Sequence, residues 1–543
     1  MRAGPGRSSP ALPDRIRSIL AARGTSLAQV SRASHSLAKG NRLYHIPHNF
    51  YSSLNKLQFS PSLYQLLTLS VLSGYRLVDW FKIFGFSLDH VPRFQASFPA
   101  IRTVELDSRT YNPEISIPWF QDLKKPDFSD RLVPLSRWLV PGAAHRFDSL
   151  RPATRVKFRY VKIGLDDAFA FPDLLSGSIV RVNTSLHAHR RLPIGKRPAE
   201  RLFLVEHNRG MFCSRLYRSG SDKIVLCSRH LPYAPVELQL DTQAKVLGVV
   251  DTEIRPLGKI DKPVVPALLG RFWSPSPLAR PSLPHHAGEF IRRARKRSGL
   301  SFREASKRTR VIAKSLKDSR YYCAAGSLSD CETRKLPPRH IHKLISICAV
   351  YFASAADLLE ASEANLDKGG QLPMPPQLLD GLENAHPDSG PSSFLGEMER
   401  RFGELPYFLH RVAPSMFGLS DLSLRDVFWA GDDQKFVHPY IAGAVFLVVD
   451  RRQKRPRPSL SFPKWAQPLY VLQQRNGGNL FGYCSLQNGL LILRPGVAGL
   501  PRLLRFRNRI DAEVIGRVVG IVRTLARHDV RRRKVTKANR DGV

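Results

Sequence analysis

The chain has 543 residues, 43% of them hydrophobic, and sets 84 Lys and Arg against 45 Asp and Glu for a formal charge of +39. That imbalance favours a polyanionic partner, nucleic acid before an acidic membrane surface. Six cysteines without a C-x-x-C exclude a disulfide framework or zinc ribbon and point to a reduced, cytosolic setting, and no apolar run approaches the about 20 residues that span a bilayer.

In chain order, "MRAGPGRSSPALP" has no apolar signal core, so residues 1–12 are expected to be a disordered leader. "PDRIRSILAARGTSLAQVSRAS" predicts two helices: Ile16, Ile19 and Leu20 have helical spacing, Gly24 suits a left-handed cap, and Ser26 can open the next helix, which turns Leu27 and Val30 inward. "PHNFYSSLNKL" and "SPSLYQLLTLSVLSGYRLVDWFKIFG" add further helices and complete a helical domain at 13–93. After a connector at 94–150 come Val-, Ile- and Leu-rich runs broken by Gly, Asn and Arg turns, a strand pattern that defines a β-domain at 151–262. A Pro/Ser-rich linker follows at 263–287, then helices at 288–364, a second linker at 365–393, strands at 394–527 and a basic tail at 528–543.

The plan is written twice. "IRSILAARGTSLAQVS" from Ile16 matches "IRRARKRSGLSFREAS" from Ile291, setting Gly24 on Gly299 and Ser26 on Ser301. "NRLYHIPHNFYSSLNKLQFSP" from Asn41 matches "DSRYYCAAGSLSDCETRKLPP" from Asp318. "GLDDAFAFPDLLSG" from Gly164 matches "GDDQKFVHPYIAG" from Gly431, and "VLGVV" at Val246 matches "VIGRVVGIV" at Val514. Between them "MFCSRL" is set on "FGYCSL", which pairs Cys213 with Cys484 and Ser214 with Ser485. Tandem duplication of a two-part unit is the economical reading.

Each helical part, with its Gly-ended first helix and Ser-opened second, resembles the lambda-repressor-like (XRE) family of DNA-binding domains. The family's tight turn between helices two and three is replaced here by "HSLAKGNRLYHI" and "RVIAKSLKDSRYY". The resemblance implies that helix three enters the major groove. It sets Asn49, Ser52, Ser53, Asn55 and Lys56 near the bases in the first copy, and Ser327, Ser329, Asp330 and Arg334 in the second. Gln29, Arg303 and Lys307, with Arg308 and Arg310, would hold phosphates. A solvated polar helix face is the alternative for any one of them.

The strand-rich parts resemble the C-terminal domain of LexA and CI-type repressors, a small β-fold related to signal peptidases. Pro172, Gly177, "SIVRVN", "FCSRLYR" and "VLGVV" carry the likeness in the first copy; Pro439, Gly443, "AVFLVVD", "YCSL" and "VIGRVVGIV" carry it in the second. The family needs a Ser nucleophile three residues before the Pro and a Lys base on a later strand. Those positions are Phe169 with Ser214, and Phe436 with Ser485, so neither copy is expected to catalyse.

No Walker loop, G-x-S-x-G or G-x-G-x-x-G is present, and His187, His189, His340 and His342 are expected at the surface rather than on a metal. The expected fold class is therefore multidomain α + β: two all-α helix-turn-helix domains, each followed by a small, mostly-β LexA-like domain. The expected function is a sequence-specific DNA-binding regulator without cofactor or metal, cytoplasmic and nucleoid-associated. Its partners would be double-stranded DNA and, within the chain, its own other half; further self-association is left open. The competing readings are a self-cleaving repressor with a displaced nucleophile and a protein-binding scaffold.

Overall fold

The computed structural model describes residues 12–21, 24–38, 42–54, 59–107, 133–134, 158–167, 169–171, 173–184, 192–195, 198–208, 210–228, 235–257, 286–362, 415–419, 426–430, 445–456, 468–495 and 503–525. It is a mixed α + β protein of two compact units. One draws on Met1–Gln95, Asp107–Asn112 and Pro281–Gly390; the other draws on Ala96–Leu106, Pro113–Arg280 and Pro391–Val543. The chain is thus sorted by type: the helices of both copies share one unit and the strands of both copies share the other. No described helix is long and apolar enough to cross a membrane.

In the helical unit the first copy supplies α1 (Leu12–Ala21), α2 (Leu27–Ala38), α3 (Phe50–Leu54), α4 (Leu63–Ser73), α5 (Leu77–Ile83) and most of α6 (His90–Ser97). The second supplies α7 (Ala287–Ser298), α8 (Phe302–Ser315), α9 (Ala325–Thr333), α10 (Ile341–Val350) and α11 (Ala355–Glu360). Gly24 and Gly299 leave α1 and α7 at φ +63° and +71°. A Cβ on Gly24 would meet nothing, so its left-handed backbone alone accounts for the glycine. Ser26 and Gln29 then cap each other across the start of α2, at 2.6 and 3.3 Å. Ser301 and Glu304 do the same for α8 at 2.9 and 3.3 Å.

A buried hydroxyl fixes the entry to α3 and α9. Ser34 Oγ accepts the Ile46 N–H at 2.9 Å, and Thr309 Oγ accepts the Cys323 N–H at 3.1 Å. The Thr68 and Ser346 hydroxyls donate to the carbonyls of Tyr44 and Tyr321. His342, expected at the surface, is instead buried between the rings of Tyr321 and Phe86, and burial pushes its pKa down to about 4. His187 and His189 lie outside the described residues.

The two helical copies join through equivalent positions. Ser62 and His340, which open α4 and precede α10, form an antiparallel bridge with each other. The Leu63 N–H donates to Arg339 O at 2.9 Å and the Tyr64 hydroxyl to Pro337 O at 2.6 Å. Buried Gln95 donates to the carbonyls of Cys348 and Ala353 and accepts the Asp107 N–H, while Asp107 accepts the Ala355 N–H.

The first copy's strands are β1 (Val104–Glu105), β2 (Val133–Pro134), β3 (Phe158–Lys162), β4 (Ile179–Asn183), β5 (Leu202–His207), β6 (Gly210–Arg218), β7 (Lys223–Cys227), β8 (Val236–Gln239) and β9 (Ala244–Pro256). The second copy's are β10 (Val427–Ala430), β11 (Val445–Asp450), β12 (Leu469–Gln474), β13 (Asn479–Gln487), β14 (Leu490–Pro495), β15 (Leu504–Arg507) and β16 (Ala512–Thr524). They form one antiparallel sheet with the path β15-β14-β13-β12-β16-β9-β5-β6-β7-β8. Asn488 and Gly489, at φ 50° and 77°, make the tight turn between β13 and β14.

The long strands β9 and β16 are equivalent and are paired to each other. Each carries its bulges at matching places, so Gly248 faces Leu204 as Gly516 faces Val471. A Cβ on Gly248 would lie 2.5 Å from Asn183 O, and one on Gly516 would lie 2.5 Å from Asp450 O. The 268-residue shift between these glycines sets Ile254 on Val522, and those two residues face each other in the β9–β16 ladder. The ladder is thus centred on a local two-fold. Leu257 N–H to Val519 O and Leu525 N–H to Asp251 O close its two ends at 2.7 and 2.8 Å.

Beside this centre, one buried carboxylate serves both copies. Glu253 accepts from Ser178 Oγ at 2.8 Å, from Arg255 at 2.9 and 3.1 Å, and from Arg523 at 2.7 Å. Arg255 and Arg523 are equivalent residues, and both also donate to Asp173 O. These guanidiniums hold the Glu253 carboxyl below its ordinary range despite its burial.

The repeated Gly-x-Asp opening is explained in the first copy by a close approach. A Cβ on Gly164 would sit within 2.4 Å of Thr103 N. Three residues on, Asp167 accepts from the Thr103 hydroxyl at 2.8 Å and the Cys213 N–H at 2.9 Å. Burial pushes the Asp167 carboxyl up to about 7 and the neighbouring Asp166 carboxyl up to about 6. The corresponding segment from Gly431 lies outside the described residues.

Two predictions follow from this geometry. Gly248→Ala and Gly516→Ala should each lower stability by roughly 1–3 kcal/mol, because the added methyl meets backbone that cannot yield; denaturant midpoints of the two variants measure it, and a loss at only one site would break the equivalence. The second concerns pH. The folded chain keeps the Asp166 and Asp167 protons up to about 6 and 7, where the unfolded chain, at its ordinary 3.8, has shed them. This contribution to stability is therefore full below about pH 4 and lost as pH rises through 7. Asp167→Asn keeps an acceptor and removes the charge, so its midpoint should rise relative to wild type between pH 5 and pH 8. A constant difference between the two would refute the account.

Candidate nucleic-acid interface

Helix α8 buries Ala305, Thr309, Ile312 and Ala313 and turns its other side to solvent. Arg303, Lys307, Arg310 and Lys314 all lie on that exposed side, at spacings of four, three and four residues. Such spacing places them in one stripe along the helix. Arg310 is seated: its guanidinium lies 5.2 Å over the Tyr322 ring and donates to the Tyr322 hydroxyl at 3.3 Å. Arg308 differs from its expected role. It is half-buried on the flank of the helix, near Glu304, and does not join the stripe. Lys314 was not singled out from sequence, although its place eleven residues after Arg303, three helical turns, was readable. Gln29 is exposed at the start of α2, and its side chain caps the Ser26 N–H.

The expected base-reading residues gather around α3 and α9. Asn49 immediately precedes α3 and is exposed, as is Ser52; Ser53 is half-buried. The hydroxyls of Ser52 and Ser53 both donate to Asn49 O, at 2.8 and 2.9 Å, which leaves their oxygens as acceptors. Asn55 and Lys56 lie outside the described residues. On α9, Leu328 and Glu332 point inward, and Glu332 accepts two bonds from Arg295. Ser327 and Ser329 are half-buried and Asp330 is exposed. Arg334 is not on the helix: it caps the C-terminus of α9 with extended backbone, and its carbonyl accepts the Gly288 N–H at 3.1 Å. Its exposed side chain therefore leaves from the turn after α9.

The four positions compared with the peptidase-like family separate. Phe169 is buried, edge-on to Phe212 at 6.4 Å, in a cluster with Val205, Leu216 and Ile224. Ser214 is buried on β6 and accepts the Cys227 N–H at 3.2 Å. Phe436 lies outside the described residues. The pairing of Ser214 with Ser485, and of Cys213 with Cys484, is corrected by the sheet register. Ser214 faces Phe203 on β5, and the equivalent place on β13, facing Tyr470 on β12, is held by Gly482. Ser485 is three residues further along, opposite Ile492. The Cys-Ser dipeptide recurs there, but an odd shift along a strand turns every side chain to the other face. Core packing agrees: Cys213 packs with Leu204, Val182 and Val250, and Phe481, not Cys484, packs with the corresponding Val471, Val449 and Val518. Among the described residues, no group of three or more His, Cys, Asp or Glu could hold a metal ion.

No family model and no curated protein matches the chain. Among solved structures, Streptomyces albus HEPD with 2-hydroxyethylphosphonate and Fe(II) bound aligns over 97% of this chain and 95% of its own, at 10% identity and a TM-score of 0.13. That score is too low to carry any argument about fold or function.

Proposed function

We propose that the chain is a sequence-specific DNA-binding regulator of the repressor type, acting as a single-chain pseudo-dimer and without self-cleavage. On this reading each copy pairs a helix-turn-helix domain with a degenerate LexA-like domain, and the protein works in the cytoplasm on the nucleoid. The observation that carries it is the self-equivalent contact between Ser62 and His340, which joins the two helical copies about a local two-fold. Ordinary readers of two half-sites achieve this arrangement by dimerising. The exposed cations of α8 and the charge of +39 suit the phosphate backbone. Covalent linkage keeps the second reader at high effective concentration once the first has bound. Because Ser52 and Ser53 stand where the second copy has Ser329 and Asp330, the two half-sites need not be alike.

The reading against catalysis rests on residue chemistry. Buried Phe169 cannot attack a carbonyl, and Ser214 spends its hydroxyl on strand β7. Purified chain held at alkaline pH should stay full length for days by mass measurement; a specific cut abolished by changing one Ser would point to the self-cleaving alternative.

Duplex binding is tested by fluorescence anisotropy across a salt series. The affinity should fall steeply with salt, each neutralised phosphate adding about −0.9 to the log–log slope. A flat response would leave a protein-binding scaffold as the better account. Selection from random duplexes would then supply the site. On that site Asn49→Ala should relax one half and Ser329→Ala with Asp330→Ala the other, each substitution that removes a base contact costing about 1–3 kcal/mol.

A further inference from the structure

Equivalent faces of the two helical copies carry different charge. The capping pairs at Ser26 and Ser301 fix the correspondence between α2 and α8, and the Ser34 and Thr309 staples keep it in step over about two turns. Along the α8 stripe, Arg303, Lys307 and Arg310 then correspond to Ala28, Arg32 and His35, all six exposed. Lys314 corresponds to Lys39, which lies outside the described residues. The seat of the third position is kept while its charge changes: Arg310 lies over the Tyr322 ring, and His35 stands edge-on to the His45 ring at 5.5 Å. The preceding helices differ in the same direction. Helix α7 carries five Arg and Lys between Arg292 and Arg297, of which Arg293 pairs with Glu289 and Arg295 with Glu332; α1 carries Arg15 and Arg17, the latter 3.2 Å from Asp14.

We propose that the two copies divide the work on a duplex, the second gripping the phosphate backbone through the α8 stripe and the first adding little to that grip. This rests on the DNA-binding reading above. Backbone contact supplies affinity without sequence information, whereas base contact supplies selectivity. A chain with one strongly cationic reader would settle first through that reader at any sequence, and the tethered first copy would then sample the neighbouring groove. The polyanion is committed as double-stranded DNA, since four cations along about 16 Å of helix match a run of phosphates rather than a single anion.

The experiment measures salt slopes for the full chain on a random-sequence duplex at pH 8, above the range in which histidines ordinarily carry charge. The variant Arg303→Gln, Lys307→Gln, Arg310→Gln and Lys314→Gln should lose about 3 to 4 units of slope. The matching first-copy variant, Arg32→Gln, His35→Gln and Lys39→Gln, should lose about 2 at most. The charge-keeping pair Arg303→Lys and Arg310→Lys should retain the wild-type slope, which ties the effect at these positions to charge, and an unchanged thermal midpoint of the Gln variant excludes a folding defect. If the wild type binds with a steep slope but the α8 variant matches it, or the first-copy variant loses as much, the division of work is overturned while the DNA reading stands. If the wild type itself shows no salt-dependent binding, the DNA reading fails and this proposal with it.

Discussion

A single carboxylate holds the two halves of the sheet in one arrangement. Glu253 sits beside the centre of the β9–β16 ladder with a guanidinium from each copy on it. Its equivalent in the second copy is Ile521, so the centre has two cations and one anion where a symmetric pair would have two of each. Two first copies meeting in this way would each bring a Glu253 and an Arg255. Two second copies would bring a pair of Arg523 and no carboxylate, and buried charge left unpaired is strongly unfavourable. The cluster therefore disfavours pairing of the second copy with itself and favours the unlike pair that one chain supplies. Specificity of this kind comes from the penalty on the wrong pairing as much as from the contacts of the right one.

The same loosening of symmetry is visible in the helical unit. The Ser62–His340 bridge keeps the two copies related, while their outer faces have diverged. Ala28 faces solvent where Arg303 does, and Asn49 stands where the second copy has Gly326. On the proposed DNA-binding reading, two readers on one chain free each from serving both half-sites. The scaffold positions, by contrast, still match across the copies: the capping serines, the left-handed glycines, and the glycines at the strand crossings.

What could be read from the sequence were features with local causes. Gly24 and Gly299 end helices because a left-handed residue is needed there, and Ser26 and Ser301 open the next helices because free N–H groups need an acceptor; both are local rules that leave a trace in a few residues. Gly248 and Gly516 were matched through the "VLGVV" and "VIGRVVGIV" runs, and the register agrees. What failed was the match of Cys213 with Cys484, where identity of two residues outweighed strand register. Register depends on partner strands some distance away, and nothing in "FCS" or "YCS" reveals them. The sorting of helices from strands among the described residues was equally hidden, because Gln95, Asp107 and Cys348 meet only after folding. The α8 stripe lies between: Arg303, Lys307 and Arg310 are legible as isolated charges, and Lys314 needs the helix to extend to Ser315 before its face can be assigned.

Strand β2 has a bearing on how such a chain could be taken apart. It comes from the segment between the first copy's helices and strands, yet it pairs with β10 of the second copy, as β1 pairs with β3 of the first. The second β-domain is thus completed by residues that precede it by nearly three hundred positions. A gene cut at the Pro/Ser-rich boundary would leave β10 with a bare edge in one product and β2 without a sheet in the other. Exposed strand edges recruit whatever extended chain is near, including further copies of themselves. The two similar parts are in this sense laced together, by β2 on β10 as well as by β9 on β16.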